Sequence, residues 1–99
     1  TTVTFYVEAY HSPNREDDDF EFWYSTDDQT YTYLLTVDKT TDTGSCQWDL
    51  LPDSPSGTIY IRVTDTNQTP GNTILDTIYI NNMYIDAIRE KIGLIDVII

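Results

Sequence analysis

The feature that most constrains the fold is a strict alternation of apolar and polar residues at the start of the chain. In "TTVTFYVEAY" (1–10), apolar side chains fall at odd positions from Val3 to Ala9, and polar or amphipathic side chains fall at even positions. Successive side chains of a β-strand point to opposite faces of the sheet, so this period of two predicts a half-buried strand. The same alternation in "TIYIRV" (58–63) predicts a second such strand.

Further strand patterns follow at short intervals, separated by polar turns such as "TDDQTY" (26–31). They lie in residues 19–25, 32–37, 45–50 and 77–85. In residues 77–85 the apolar positions change parity between Ile80 and Met83, which predicts a β-bulge near Asn81 and Asn82. The inward-facing residues predicted in these strands are Phe20, Phe22, Tyr24, Tyr33, Leu35, Val37, Ile59, Ile61, Val63, Ile78 and Ile80.

Short strands joined by short loops predict an all-β fold, an antiparallel β-sandwich of jelly-roll or Ig-like type. Parallel pairing would need longer crossover connections. The pattern assigns the sandwich to residues 1–85 and leaves open whether that sandwich is complete. Residues 86–99 form a C-terminal tail, in which 86–92 have the pattern of one or two helical turns and "GLIDVII" (93–99) that of a strand. This tail is interpreted as an edge strand or as a segment that contacts another domain or a partner.

The charge of the chain restricts its partners. Seventeen acidic residues against five basic ones give a net charge of −12. Nucleic acids and anionic membranes repel such a surface, whereas cations and basic proteins are attracted. No apolar run is long enough to insert in a membrane.

Cys46 is the only cysteine, so a disulfide within the chain and a thiolate zinc site are excluded. It shares a parity with Trp48 and Leu50, which predicts a buried thiol.

The loop "DTNQTPGNTILDT" (65–77) joins two predicted strands and carries many oxygen-bearing side chains. Calcium prefers six to eight oxygen ligands, at about 2.3–2.6 Å. A structural calcium ion is therefore a hypothesis for this loop, beside the simpler interpretation that these side chains cap the amides of turns. The candidate ligands are Asp65, Asn67, Asn72 and Asp76, with Asp18 and Asp19 from the preceding acidic loop.

The outward faces of the predicted strands carry several aromatic rings beside charged groups. Aromatic rings stack on pyranose sugars, and charged groups bind their hydroxyls, so these side chains are candidates for a carbohydrate site. The simpler interpretation is that the rings form cross-strand pairs, each contributing about 0.2–1 kcal/mol to the sheet. The candidate ligand-binding residues are Trp23, Tyr6, Tyr60, Tyr79, Arg62 and Glu21.

The sequence gives little support for catalysis. His11 is the only histidine, and no serine lies in a nucleophile elbow. Glu8 and Glu21 are a conceivable glycosidase pair, but a single small sandwich rarely encloses the cleft that such chemistry needs. We therefore predict that the chain is not an enzyme.

Three stretches together are similar to a known type of module: "DDFEFWYSTDDQTYTYLL", "SGTIYIRVTDT" and "LDTIYINNMYI". They resemble the second half of galactose-binding-like jelly-roll modules, which are accessory domains of secreted bacterial and archaeal proteins. The resemblance covers roughly residues 18–85. It implies a non-catalytic accessory module, outside the cell or on its surface, of carbohydrate-binding or cell-adhesion type. Its partners would be a glycan or polysaccharide and the other domains of a larger secreted protein.

A second hypothesis is a structural subunit of an extracellular filament or pilus. A sheet edge that lacks a neighbour can accept a strand from another chain. The apolar segment "GLIDVII" (93–99) is the candidate donor to a neighbouring subunit.

Overall fold

The computed structural model describes residues 2–13, 18–66 and 76–88. All regular secondary structure in these ranges is β-strand, as the alternation predicts. The strands are β1 (Thr2–His11), β2 (Phe20–Ser25), β3 (Thr32–Val37), β4 (Gln47–Leu50), β5 (Tyr60–Asp65) and β6 (Ile78–Ile88).

The six strands form two three-stranded sheets, with the orders β4-β1-β6 and β3-β2-β5. Every pairing is antiparallel. The rings of Phe5 and Phe22, from the two central strands, lie 5.9 Å apart between their centroids, so the sheets meet along β1 and β2. The prediction of an all-β antiparallel sandwich is confirmed, and the three described strands of each sheet are consistent with an incomplete sandwich.

The core follows from the alternation along β1 and β2. All four odd-numbered apolar residues of β1 are buried, and so are the three inward-facing aromatic residues of β2. Burial of one such side chain contributes roughly 1.5–3 kcal/mol. Three residues of the β5 segment and Ile78 pack against this core while remaining partly exposed. The buried cluster consists of Val3, Phe5, Val7, Ala9, Phe22, Tyr24, Leu34, Leu35, Val37 and Leu51.

The predicted bulge in the last strand is confirmed. Glu8 of β1 lies opposite Asn82 and Ala9 lies opposite Ile80, so Asn81 is the extra residue. This residue restores a common inward face for the two halves of β6, whose apolar positions have different parity.

A second irregularity makes the prediction for Tyr33 wrong. Phe22 lies opposite Leu35, but Trp23 lies opposite Tyr33, so Leu34 is an extra residue in β3. Leu34 and Leu35 are both buried, and Tyr33 turns outward with 46% of its surface exposed.

The prediction of a buried Cys46 is also wrong, since its side chain is exposed. In β4, Trp48 lies opposite Tyr6 and therefore shares the outer face of the sheet. The inner side of β4 instead carries Gln47, whose Nε2 donates to the backbone oxygen of Thr36 at 2.8 Å. The strand thus points its polar residues inward and its apolar residues outward, whereas the strands of a sandwich usually turn their apolar residues towards the core.

β6 continues through Asp86, Ala87 and Ile88, which extend the strand instead of starting the predicted helical turn. The residues of the tail beyond Ile88 lie outside the described part of the chain. The division at residue 85 stays a prediction.

Candidate functional site

Three of the predicted ligand-binding residues meet on the outer face of the β3-β2-β5 sheet. Their inward-facing neighbours on β2, Phe20 and Phe22, fix Glu21 and Trp23 on the opposite face. Trp23 lies directly across from Arg62 of β5. The pairing of β2 with β5 therefore sets an indole, a carboxylate and a guanidinium side by side.

Trp23 is held in place from two sides. Its indole Nε1 donates a hydrogen bond to the hydroxyl oxygen of Thr64 at 3.0 Å. Its ring meets Tyr33 nearly edge-on, with centroids 5.6 Å apart and an interplanar angle of 77°. Both contacts restrict the rotamer, so the ring presents a fixed surface.

Arg62 and Tyr31 form a second fixed pair. The guanidinium carbon of Arg62 lies 3.8 Å from the centroid of the Tyr31 ring, which is a cation–π contact. The Tyr31 hydroxyl donates a hydrogen bond to the Asp28 carboxylate. This hydrogen bond is the main reason why the pKa of Tyr31 is raised.

These side chains enclose a shallow cavity of about 280 Å³. Its walls combine two aromatic rings with groups that donate and accept hydrogen bonds, which is the chemistry that a sugar ring requires. The prediction missed two wall residues. Thr64 follows Arg62 at the next outward position of β5 and could have been found from the alternation, whereas Tyr31 lies just before β3 and carries no such signal. The cavity is lined by Glu21, Trp23, Tyr31, Arg62 and Thr64.

The other three predicted ligand-binding residues lie elsewhere. Tyr6 and Tyr79 stand on the outer face of the β4-β1-β6 sheet, where Tyr6 stacks on Tyr84 at 4.8 Å and Tyr79 stacks on Tyr10 at 4.9 Å. These are the cross-strand pairs of the simpler interpretation. Tyr60 is exposed on β5 opposite Ser25 and does not line the cavity.

A second group of predicted residues meets at one end of the sandwich. Asp18 precedes β2, Asp65 ends β5, and Asp76 precedes β6. Each offers a carboxylate oxygen, and these oxygens lie within 4.8 Å of one another. Asp18 is buried, with 5% of its surface exposed, whereas the other two carboxylates are half-buried. Three carboxylates at this spacing repel one another when all of them are ionised.

The remaining predicted metal ligands are placed differently. The carboxylate of Asp19 accepts a hydrogen bond from His11 Nε2 at 3.2 Å. The backbone N–H of Thr66 donates a hydrogen bond to the backbone oxygen of Asp19, and the backbone N–H of Asp19 donates one to the hydroxyl oxygen of Thr66, both at 3.0 Å. These two bonds attach the segment before β2 to the end of β5. Asn67 and Asn72 lie outside the described residues.

Another cavity, of about 290 Å³, lies at the opposite end of the sandwich, between the β2–β3 turn and the loop after β4. Its Asp27 carboxylate accepts hydrogen bonds from the backbone N–H groups of Gln29 and Thr30, both at 2.9 Å. Since this oxygen already holds the turn, we assign the group a structural role.

The suggested glycosidase pair of Glu8 and Glu21 is not formed, because the two residues lie on the outer faces of different sheets. His11 is buried, and its Nδ1 faces the backbone oxygen of Ser12 at 2.8 Å. Its ring therefore supports the local structure at the strand end.

No family model, no curated protein and no solved structure matches this chain. The resemblance to galactose-binding-like modules therefore stays a prediction. None of the described residues belongs to a helix with the length and apolar character needed to span a bilayer.

Proposed function

We propose that the chain is a non-catalytic, extracellular accessory module that binds carbohydrate on the outer face of its β3-β2-β5 sheet. The observation that carries this proposal is the cavity in which Trp23, Tyr31 and Arg62 stand together with a carboxylate and a hydroxyl. The module would attach a larger secreted or cell-surface protein to a polysaccharide.

The chemistry of the cavity favours an uncharged sugar. The indole of Trp23 offers an apolar face for stacking, while Glu21 accepts and Arg62 donates hydrogen bonds to sugar hydroxyls. A polyanionic glycan would be repelled by the net charge of −12. Because the indole and guanidinium are already fixed by their neighbours, binding costs little side-chain entropy.

Binding to an array of neutral glycans and cell-wall polysaccharides tests this proposal. Trp23→Ala should abolish the signal, and Arg62→Ala should weaken it at least tenfold, because a charge-assisted hydrogen bond contributes about 1.5–3 kcal/mol. Trp48→Ala is the matched control, since Trp48 is exposed on the other sheet. Circular dichroism confirms that each variant is folded. Equal loss in the Trp23 and Trp48 variants, or no binding of any glycan by the wild type, would reject the proposal.

We also propose calcium as a structural cation at Asp18, Asp65 and Asp76. The three carboxylates come from three separate segments, so a shared ion would join the start of β2, the end of β5 and the start of β6. The fit rests on the chemistry of the donors, since hard carboxylate oxygens at this spacing are what calcium prefers. The ion would neutralise charge repulsion that otherwise opposes closure of this end.

A thermal melt in calcium and in chelator tests the cation. Calcium at 100 times its Kd should stabilise the fold by about 2.7 kcal/mol, which corresponds to a rise in Tm of about 10 °C or more. Asp65→Asn should remove most of this shift. Asp53→Asn is the control, because Asp53 borders the cavity at the opposite end of the sandwich. Identical melts of the wild type in calcium and chelator would contradict this part of the proposal and leave the glycan site untouched.

A further inference from the structure

Among the described residues the sandwich has an open flank, which we define as the free edge of β6 and the inward row of Ile80, Met83 and Ile85. β6 pairs with β1 on one side and with no other described strand on the opposite side. Such an edge exposes backbone N–H and C=O groups that can pair with another extended segment.

The inward row is apolar and yet exposed. Met83 lies opposite Val7 and Ile85 lies opposite Phe5, so both share the core face with fully buried partners. Nevertheless, 43% of the surface of Met83 and 38% of that of Ile85 remain exposed. Their exposure is therefore not a consequence of pointing outward. It follows from the lack of a cover among the described residues.

The flank is closed at the start of β6 and open farther along the strand. At its beginning, Ile78 packs against the core, next to the place where Asp76 and Asp65 approach each other. Farther along, all three residues of the inward row are exposed by about two fifths, Ile80 by 41%, Met83 by 43% and Ile85 by 38%. A covering segment therefore needs to lie along β6 from Ile80 to Ile85.

We propose that residues 94–99 of the same chain fold back antiparallel to β6 as a seventh strand and cover this flank. These residues lie outside the described part of the chain, and their sequence, "LIDVII", has the β-branched apolar character of a covered strand. The connection from Ile88 is short enough for a hairpin loop, which typically contains two to five residues.

The pattern of residues 94–99 selects the face. A loop with an odd number of residues, 89–91 or 89–93, places Ile95, Val97 and Ile99 beside the inward row. Asp96 then falls on the outer face, where its charge stays in water. With the three-residue loop, Asp96 lies opposite Tyr84. With the five-residue loop it would lie opposite Asp86, and two like charges directly opposite each other destabilise a strand pair. The three-residue loop is therefore favoured.

Two arguments favour the chain's own segment over that of a second copy. The segment is tethered to the end of β6 by a few residues, and a short tether gives an effective concentration in the millimolar range. Two copies, each with a net charge of −12, repel each other.

Cysteine cross-linking in a Cys46→Ser background tests the proposal. Ile85→Cys combined with Ile95→Cys or with Val97→Cys should form a disulfide within one chain on mild oxidation, because directly paired strand residues lie within disulfide reach. The control combines Tyr84→Cys with Ile95→Cys, which should face opposite sides of the sheet and remain unlinked. Non-reducing electrophoresis and mass spectrometry separate linked monomers from linked dimers.

Efficient monomer cross-links in the Ile85 pairs alone would support the proposal. Linked dimers would overturn it in favour of strand donation between subunits, as in a filament. A lack of cross-links, or equal linking in the control pair, would overturn it as well. None of these outcomes depends on glycan or calcium binding.

Discussion

The carboxylate of Asp27 organises the turn between β2 and β3. It accepts hydrogen bonds from the N–H groups of Thr30 and Gln29 and from the hydroxyl of Ser25, at 2.8–2.9 Å. These bonds, with that of Thr30 the strongest influence, lower the pKa of Asp27 from 3.8 to about 2. The Asp-rich sequence predicted a turn here, but it could not single out the aspartate that holds it.

We predict that Asp27 contributes to the loss of stability in acid. Its pKa is lower in the folded chain, so its contribution is complete above about pH 4 and disappears as the pH falls towards 2. Asp27→Asn should therefore lose less stability than the wild type over this range, as measured by thermal melts at successive pH values. Parallel curves for Asp27→Asn and the wild type would contradict the prediction.

Cys46 illustrates what residue parity cannot decide. The alternation correctly grouped it with Trp48 and Leu50, but this face of β4 is the one that the opposite sheet does not cover. A four-residue edge strand such as β4, with apolar Trp48 and Leu50 alternating with polar Gln47 and Asp49, gives no internal sign of which face the opposite sheet covers.

We expect the Cys46 thiol to react with a maleimide or with Ellman's reagent in the folded protein. The native chain should release one equivalent of thiol product, at a rate similar to that in urea, because the side chain is exposed. A reaction that requires denaturant would contradict this placement.

At the scale of the strands, one bulge was predictable and the other was not. The bulge at Asn81 changes the parity of apolar residues in an otherwise alternating strand, and that change is visible in the sequence. The bulge at Leu34 leaves no such change, because Tyr33, Leu35 and Val37 already alternate regularly and either Tyr33 or Leu34 is apolar enough to face inward beside Leu35. Pairing with β2 decided between them.

We predict that deletion of Asn81 is tolerated. Without this residue, Asn82 and Ile80 keep their partners Glu8 and Ala9 in a regular strand, so the cost should be below about 1 kcal/mol, mainly from the lost amide contacts. Deletion of Tyr84 is the comparison. It shifts the register and turns one half of β6 over, which should cost about 2 kcal/mol or more.

Urea unfolding of both deletion variants measures these costs. Equal destabilisation by the two deletions would show that the bulge does not set the register of β6.

For the molecule as a whole, the contact between the sheets depends on a few large side chains. Phe22 is fully buried on β2 and faces Phe5 of β1. We expect Phe22→Ala to lower the free energy of unfolding by about 3–5 kcal/mol, because a cavity remains between the sheets. Tyr33→Ala, on the exposed face, should cost less than about 1.5 kcal/mol. Similar costs in urea titrations would contradict the face-to-face packing.

The sequence located the parts of the candidate sites but not their assembly. Alternation sufficed to place Trp23 and Arg62 outward, and only the pairing of β2 with β5 made them neighbours. Asp65 and Asp76 were expected at two strand ends, whereas the approach of Asp18 depends on the packing of a third segment. Such long-range placement is not encoded in local periodicity.

The most direct test of the proposed function uses the two tryptophans as internal reporters. Each gives one indole N–H signal in a proton–nitrogen correlation spectrum, and a Trp48→Phe variant assigns them. On titration with a glycan selected from the array, the Trp23 signal should move in a saturable manner while that of Trp48 stays in place. A shift of the Trp48 signal alone would contradict a carbohydrate site on the β3-β2-β5 face.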